Sequence, residues 1–506
     1  MDRIASSRWA LVTTVVLASF ASRDARAGGM EFPDNGTQAL GRGAAFTARA
    51  DDGTALLYNV AGLAKQRGTR LLFNSNLTMH DLTFRRSGTY PDDPNRALTP
   101  WGGRAYAPVS DVGPPFFAPL AVLTSDFGLD RATFAIGAYG PSTIGNRAYP
   151  IVVDGLPSSS RYDTAVSGGT IVFPTAAAAF RLFPWLDVGA AFHLTYARFS
   201  TLSVSLADVS PALCPNPEYQ PCDSRLDLKT DGIAPAGSFG LMAHPVRWLD
   251  LGANVRTGVK LETEGVAEST PPLVAPNPID PSAARFTTKL PWVIRTGARL
   301  VKREGRTERA DVELDFVYEA WSGALGDGAK VQIDQLSLFK DIRPTIRFGY
   351  RDTWSLRAGG SWVFDVGEGQ LAVRAGAYYD SSATASADTR VNFDTLAKVG
   401  LTAGAGIRVG ALTFNVAYAE VFSFSRDVAD GAIRPINGAK NGTSESSSGT
   451  IYPAVNDGKY DAHARVLSLG ASIAFDEFFG KPRMSSWGEP EGEPESAPEG
   501  TPTTSP

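Results

Sequence analysis

The residues of this chain that could act chemically are ionisable side chains in segments that alternate like β-strands. Arg256 and Lys260 are predicted to share one strand face, and Glu313, Asp315 and Glu319 alternate on a later segment. The candidate cations on predicted inward faces are Arg256, Lys260, Arg295, Arg299, Arg357 and Arg374. Because buried charges need partners, one interpretation is an ion-pair network that fills a lumen. The alternative is that one or two of the cations bind a ligand carboxylate beside apolar lumen residues.

Motifs of enzymatic catalysis are absent from the sequence. It contains no Gly-x-Ser-x-Gly, His-Glu-x-x-His or Walker motif, and its 4 histidines are scattered over different strands and turns. Hydrophobic residues make up 43% of the 506 residues, charged residues 20%, and the net charge is −5. These values exclude a disordered chain and offer no basic surface for nucleic acid. We therefore expect a protein that is not an enzyme, needs no cofactor and binds no nucleic acid.

The segments that must position these side chains alternate apolar residues with small or polar residues. In one of them, Leu251, Ala253 and Val255 alternate with Gly252 and Asn254. Outward apolar faces with inward small or polar faces suit a barrel surrounded by lipid, where no backbone polar group can be left unpaired. A soluble sandwich would alternate in the same way with its apolar face inside, so alternation alone leaves both architectures open.

Loop lengths decide between the two architectures. Short turns are predicted at residues 183–187, 244–250, 302–309, 365–370 and around Gly410. Long loops are predicted at residues 207–225, 265–284, 323–340, 382–395 and 426–458. Short and long connections alternate, as expected when turns lie on the periplasmic side of a membrane and loops lie outside. The sequence therefore predicts an all-β fold, a transmembrane antiparallel β-barrel of about 14 strands over residues 68–475.

Residues 1–27 are predicted to be a secretory signal peptide. Arg3 and Arg8 give a charged start, residues 9–20 an apolar run, and residues 25–27 (Ala-Arg-Ala) a small-x-small cleavage site. A membrane-anchoring helix is the weaker interpretation, because the run is shorter than the roughly 20 residues that a spanning helix needs. At the other end, residues 476–506 are predicted to form a disordered periplasmic tail, because Pro, Glu, Ser and Thr dominate them from Gly488 onwards.

The only cysteines, Cys214 and Cys222, lie in one Pro-rich loop segment. In an exported chain the compartment is oxidising, so a disulfide between them is expected. A metal pair is the poorer interpretation, since no histidine or third cysteine lies near them in the sequence.

The first mature segment, residues 28–65, shows no strand alternation. Small residues dominate it, and its apolar residues are spaced for short helical turns. Because a long run of predicted strands follows, we expect this segment, taken as residues 28–67, to be a plug that sits inside the barrel.

Short motifs within this plug are specific to one family: Gly41-Arg42-Gly43-Ala44, Asp51-Asp52 and Tyr58-Asn59-Val60-Ala61-Gly62-Leu63. They resemble the N-terminal hatch of the FadL-type outer-membrane transporters of long-chain fatty acids and aromatic hydrocarbons. That family usually has Asn-Pro-Ala where this chain has Asn59-Val60-Ala61. The resemblance implies a hatch that closes the lumen and includes Gly41, Arg42, Gly43, Asn59, Val60 and Ala61. We use the name hatch for residues 28–67 below.

The resemblance extends to the end of the barrel. Residues 183–187 (Phe-Pro-Trp-Leu-Asp) look like a hairpin turn of the family, and residues 458–460 with His463 match its closing strand. That strand is predicted over residues 459–475 and ends on Phe475, which resembles the assembly signal of outer-membrane proteins. The resemblance therefore implies a monomer in the cell outer membrane, with outer-membrane lipid and the outer-membrane assembly machinery as partners.

The activity that the resemblance implies is passive uptake of hydrophobic small molecules, with a long-chain fatty acid as the expected ligand. Capture would occur between the loops at residues 207–225 and 265–284, where the apolar candidates are Leu213, Tyr219, Leu273 and Val274. Ordinary packing of these loops is the alternative. The ligand would then bind in the lumen, displace the hatch and leave through the wall beside the third strand. A break at Gly140-Pro141 marks that place, although simple turn chemistry would explain it equally well.

Within the lumen, the candidates for binding the ligand head group are Arg256, Lys260, Arg295, Arg357 and Arg374. Two functions of other classes stay open at the level of sequence. One is a barrel enzyme that acts on lipids, which would need a Ser or His constellation. The other is a structural or adhesive surface barrel, which would bind no ligand saturably.

Overall fold

The computed structural model of the chain describes residues 35–92, 99–141, 146–207, 210, 213–214, 216, 218–276, 280–305, 307–334, 343–393, 395–437, 443–446 and 449–478. The predicted signal peptide, the first hatch residues 28–34 and the tail from residue 479 onwards lie outside the described residues.

Within the described residues, fourteen antiparallel strands form one closed barrel. Their bounds in chain order are β1 (Arg70–Arg86), β2 (Phe116–Ser125), β3 (Ala132–Tyr139), β4 (Val166–Phe183), β5 (Leu186–Leu206), β6 (Asp223–Val246), β7 (Leu249–Arg256 and Val259–Thr270), β8 (Ser282–Leu290 and Val293–Glu304), β9 (Thr307–Glu319), β10 (Thr353–Val366), β11 (Gly369–Asp380), β12 (Lys398–Val409), β13 (Leu412–Ser423) and β14 (Gly458–Ala474). Strand β14 pairs with β1 along its whole length, from Arg70↔Ala474 to Arg86↔Gly458, and this seam closes the wall. The predicted architecture is confirmed.

Shorter elements extend the strands or cross the loops. The extended pieces are Val109–Ser110, Arg147–Ala148, Val152–Val153, Leu156–Pro157, Ala329–Ile333, Thr345–Ile346 and Arg426–Val428. Helical turns outside the hatch are Gln220–Cys222, Trp321–Leu325, Ser386–Asp388 and Phe475–Phe478. Strand β14 thus ends at Ala474, and Phe475 begins the last of these turns. Among the described helices, none has the length and apolar character needed to cross a membrane.

The two faces of each strand differ as the alternation predicts. On β9, Leu314 is 58% exposed on the outer face, whereas its neighbour Glu313 is 1% exposed inside. Val312 and Phe316 share the outer face with Leu314. A continuous outer belt of apolar side chains over polar inner faces is what strands in contact with lipid require.

Strand β7 contains an irregularity that turns one side chain to the face opposite to the predicted one. Between the pairs Ser238↔Arg256 and Asp231↔Glu264, β7 has one residue more than its partner β6. The two halves of β7 meet at residues 257–258. Before this point the even-numbered residues, such as Arg256, face inward, and after it the odd-numbered residues, such as Val259, do so. Arg256 is buried inside, but Lys260 is exposed on the outer face, where it pairs with Glu262. The prediction that Lys260 shares the inward face with Arg256 is wrong.

The described part of the hatch lies inside the barrel. It contains two short helices, α1 (Thr37–Leu40) and α2 (Ala55–Tyr58), and a 3₁₀ turn at Val60–Lys65. Thr37 Oγ1 lies 3.0 Å from Asn74 Oδ1 on β1 and 2.8 Å from Ser468 Oγ on β14, so α1 touches both strands of the seam.

Glycines in the wall let the hatch backbone approach the strands directly. A Cβ added to Gly189 would lie 2.7 Å from the backbone nitrogen of Ala61, and one added to Gly376 would overlap the backbone of Arg42. Because a side chain at either position would push the hatch away, the contact depends on glycine there.

We expect Leu314→Arg to destabilise the barrel by about 2–4 kcal/mol, since an arginine would then face the middle of the apolar belt. Urea unfolding in lipid vesicles measures this loss. Lys260→Met is the control, and it should stay within about 0.5 kcal/mol because Lys260 is an exposed surface residue. Equal unfolding midpoints for Leu314→Arg and the unaltered protein would contradict the lipid-facing assignment.

Candidate functional site

The hatch is anchored to the wall by three acidic residues of β9, namely Asp311, Glu313 and Asp315. Glu313 Oε1 accepts hydrogen bonds from the backbone N–H groups of Ala48 (2.7 Å) and Arg49 (3.2 Å). The residues before them are held in the same way, since Asp315 Oδ2 accepts from the backbone N–H groups of Phe46 (2.8 Å) and Thr47 (2.9 Å). Two carboxylates thereby fix four consecutive backbone amides of the hatch.

Arg42 is the cation at the centre of this anchor. Its Nη1 lies 2.9 Å from Asp311 Oδ1 and its Nη2 lies 2.6 Å from Asp311 Oδ2, in a bidentate arrangement. The same Nη2 lies 3.0 Å from Glu313 Oε2, and the Arg42 side chain is completely buried. Arg49 and Arg299 also pair with Asp311, at 3.1 and 2.8 Å. Buried charges of both signs therefore compensate one another across the contact between hatch and wall.

The second anchor of the hatch is Asn59, which lies against β6. Its Nδ2 donates to the backbone oxygen of Leu241 (2.9 Å) and to that of Thr47 (3.0 Å), and its Oδ1 accepts from the Ala61 N–H at 3.2 Å. The next residue, Val60, donates its backbone N–H to Asn254 Oδ1 at 3.4 Å. A proline has no N–H to donate, so Val60 makes a contact that the usual Asn-Pro-Ala motif cannot make.

One carboxylate of the hatch has a strongly altered proton affinity. Burial, and after it the neighbouring Asp51 carboxylate, raises the pKa of Asp52 to about 6. The backbone N–H of Thr54 donates to Asp52 at 2.8 Å and opposes part of that rise. Asp52 therefore changes charge near pH 6.

The lumen has an apolar side and a charged side. The apolar side is one buried cluster in which Leu56, Leu57 and Tyr58 of the hatch pack with wall residues of β2, β3, β4 and β7, including Leu120, Val122, Tyr139, Ile171, Phe173, Val259 and Leu261. The charged side lies on β8 to β12 and carries the buried residues Arg295, Arg299, Glu313, Asp315, Glu319, Arg357, Arg374, Asp380 and Lys398.

Four of the five predicted head-group residues lie inside the barrel. Arg256 lies over the ring of Phe173 at 5.5 Å, and Arg295 lies over the ring of Tyr58 at 5.5 Å. Both guanidinium groups therefore border the apolar side of the lumen. Arg357 is farther away on β10, where it lies 5.6 Å from the ring of Tyr378 and 3.8 Å from Asp380 Oδ1.

Arg374 lies at the hatch. Its Nη1 donates to Asn415 Oδ1 at 2.9 Å, and its Nη2 donates to Gln38 Oε1 of α1 at 3.0 Å. The fifth candidate, Lys260, is outside the barrel and has no access to the lumen.

The predicted capture loops meet above the barrel. Cys214 and Cys222 form a disulfide, and the Val274 N–H donates to the Pro221 oxygen at 3.2 Å, so the two loops are directly linked. Leu213 and Leu273 are exposed, Leu273 by 78%, whereas Tyr219 and Val274 are partly buried against an apolar cluster of the loops. Of these four candidates, Leu213 and Leu273 are therefore the two most accessible to a ligand from outside.

Sequence reasoning missed the polar contacts that hold these loops. Glu218, between the two cysteines, lies 2.5 Å from Arg161 and 2.7 Å from Arg86. Burial alone would raise the pKa of Glu218, but Arg161 and Arg86 hold it below its ordinary value. Gln38 and Arg49 in the hatch were missed too. Their partners on the wall, Arg374 for Gln38 and Asp311 for Arg49, are far away in the sequence. The one local signal was the spacing of two residues between Arg49 and Asp51, which form an ion pair of 2.9 Å.

Comparison with known proteins relates this arrangement to one family. A family model described as "Outer membrane protein transport protein (OMPP1/FadL/TodX)" matches residues 18–475. The chain matches none of the curated proteins.

Among solved structures, a crystal structure of a Pseudomonas aeruginosa FadL homologue superposes with a TM-score of 0.69 and 18% identity, covering 88% of this chain and 100% of that one. The Ralstonia pickettii toluene transporter TbuX gives a TM-score of 0.60 at 14% identity, covering 87% of this chain and 98% of that one. The P. putida toluene transporter TodX gives 0.59 at 14% identity, with coverages of 89% and 99%. At these identities the similarity shows the fold alone.

We expect Arg42→Met to release residues 42–49 from the wall, because it leaves Asp311 and Glu313 with less compensation. Breaking a buried ion pair by removing one partner costs about 3–5 kcal/mol. Hydrogen exchange of these backbone amides measures the release. Arg347→Met is the matched control, since Arg347 pairs with Asp388 at an exposed position and should change nothing in the hatch. Unchanged protection in Arg42→Met would contradict the anchor.

We expect the hatch to be held more firmly at pH 5 than at pH 7.5. The pKa of Asp52 in the seated hatch, about 6, is above its ordinary value of 3.8, so the seated form binds the proton more tightly. That contribution to stability is complete below about pH 4 and is lost as the pH rises through 6. Hydrogen exchange of residues 51–58, corrected for the intrinsic rate at each pH, measures it. Asp52→Asn should remove the pH dependence, and equal protection of the unaltered protein at both pH values would refute it.

Proposed function

Since this chain belongs to the OMPP1/FadL/TodX family of outer membrane transport proteins, we propose that it takes up long-chain fatty acids by passive diffusion. The protein is an outer-membrane channel for hydrophobic compounds and not an enzyme. The finer assignment to fatty acids rests on the lumen of this chain.

The observation that carries the assignment is the border between the two sides of the lumen. Arg256 and Arg295 lie over aromatic rings that belong to the apolar cluster, Phe173 and Tyr58. A fatty acid combines an apolar chain with a carboxylate, so its chain would pack along Ile171 and Phe173 while its carboxylate meets a guanidinium. A neutral aromatic hydrocarbon would use the apolar side and would meet the arginines only through the face of its ring, without an ion pair.

The first steps of the proposed path follow from the positions of loops and hatch. A ligand meets Leu213 and Leu273 at the linked outer loops and then passes into the lumen. There it reaches the apolar cluster, which includes Leu56 and Leu57 of the hatch itself. Because the hatch supplies part of that apolar surface, a ligand that binds there competes with the packing of the hatch.

The last step, exit through the wall, is supported by the short third strand. Strand β3 pairs with β4 only as far as Tyr139↔Phe173, and the next described pair on that side of β4 is Arg147↔Ser167. Pro141, one residue beyond Gly140 at the end of β3, cannot donate a ladder hydrogen bond. We propose that the ligand leaves sideways into the membrane at this interruption, beside the apolar residues Tyr139 and Ile171.

Binding of a fluorescent long-chain fatty acid to the detergent-purified protein tests the function. We expect saturable binding that unlabelled fatty acid displaces, and Arg256→Met should weaken it about 10-fold or more, since a hydrogen bond to a charged group contributes roughly 1.5–3 kcal/mol. Lys260→Met is the matched control, because it removes a cation outside the lumen. If an alkylbenzene but not unlabelled fatty acid displaces the fluorescent probe, the substrates are aromatic hydrocarbons. No saturable binding of either would refute the proposal and favour a structural surface barrel.

A further inference from the structure

Arg374 differs from the other arginines at the hatch in its partners. It is 8% exposed, and within the described part of the chain it forms no ion pair. Its guanidinium donates to the neutral amide oxygens of Asn415 and Gln38, at 2.9 and 3.0 Å. Its Nε, which is buried, has no hydrogen-bond acceptor there. By contrast, Arg42 contacts two carboxylates and Arg299 contacts three.

A buried guanidinium with only amide partners is poorly compensated. The Arg374 bonds to the two amides are charge-assisted on the donor side only, and the planar fork of arginine fits a carboxylate in particular, which would add the attraction of an opposite charge. Because the Nε–H has no acceptor among the described residues, one edge of the guanidinium lacks a hydrogen-bond partner. Arg374 therefore has the geometry and charge of an anion-binding site. The Gln38 amide oxygen, which is neutral, lies where the oxygen of a carboxylate would bind.

That neutral oxygen belongs to the hatch. Gln38 lies in α1, and its amide bridges two charged groups, since its Oε1 accepts from Arg374 while its Nε2 donates to Asp51 Oδ1 at 2.8 Å. On the wall side Arg374 is fixed by Asn415 of β13 and packs over Gly406 of β12, where a Cβ would lie 2.8 Å from Nη1. The wall thus holds the guanidinium in place, and the side of Arg374 that can exchange its partner faces the hatch.

We propose that Arg374 and Asn415 form a carboxylate-binding site that Gln38 occupies while the hatch is closed. A ligand carboxylate replaces the Gln38 amide oxygen on Arg374, and α1 then loses its contact with β11. The inference rests on the proposed fatty-acid function and adds a trigger to it, because it assigns the release of α1 to the charge of the ligand.

The site predicts that the hatch distinguishes charged from neutral ligands. A ligand can shift the hatch only by its difference in affinity for the closed and the released forms. A fatty acid gains the Arg374 contact in the released form alone. Its methyl ester has the same chain and the same apolar contacts but gains no ion pair, so it binds without releasing α1 to the same extent.

The test is hydrogen exchange of residues 37–40 in the full-length purified protein, with saturating palmitate or methyl palmitate. We expect palmitate to accelerate exchange at least about fivefold more than the ester, the lower end of common coupling effects between sites. Arg374→Met should remove this difference. Gln38→Glu should also suppress the response to palmitate, because the new carboxylate pairs with Arg374 permanently. Lys260→Met should respond like the unaltered protein.

Binding of a fluorescent fatty acid to the same samples separates this inference from the proposed function. If palmitate binds Arg374→Met but no longer accelerates exchange in α1, the trigger is supported. If palmitate binds and Arg374→Met and Gln38→Glu both respond like the unaltered protein, the trigger is refuted while the fatty-acid function stands. If palmitate does not bind the unaltered protein, both are refuted.

Discussion

The structure depends on the buried contact between the acidic strand β9 and the hatch. Asp311, Glu313 and Asp315 hold backbone amides and two arginines of the hatch in buried positions. None of these carboxylates could stay buried without its partners, and neither could Arg42, so each half of the contact requires the other. The barrel therefore needs the hatch inside it in order to compensate the charges of its own wall.

This concentration of charge on one side shapes the rest of the lumen. The hatch is fixed to β9 by charge-assisted hydrogen bonds, whereas toward β2, β4 and β7 it meets the wall largely through apolar packing, with single hydrogen bonds such as that of the Val60 N–H to Asn254. Apolar contacts can be exchanged for contacts with a hydrophobic ligand at little cost, but charge-assisted hydrogen bonds cannot. The asymmetry separates the part of the hatch that is fixed by charge-assisted hydrogen bonds to β9 from the part that packs by apolar contact, and Gln38 of α1 forms no hydrogen bond with the three acidic residues of β9.

The sequence predicted the architecture because barrel strands are local patterns. Alternation, turn lengths and the hatch motif identified an all-β barrel with a plug and its family, and these are confirmed. Lys260 was assigned to the wrong face because one extra residue in β7 reverses which residues of the strand face inward. The residue types at Thr257-Gly258 did not indicate a bulge. The anchor was missed as such, although Glu313 and Asp315 were among the acidic residues singled out on this segment, and Asp311 was not. Arg42 and Asp311 are separated by more than 260 residues, and only the closed barrel brings them together.

The contact of Thr37 with both strands of the seam has a consequence for the order of assembly. Its hydroxyl lies against Asn74 near the start of the barrel and Ser468 near its end, so this contact is complete only when the last strand has joined the first. Contacts between distant parts of a chain form late, because the loop between them must close first. The hatch, which precedes every barrel strand in the chain, is thus among the last segments to reach its final place, and its seating requires a closed barrel.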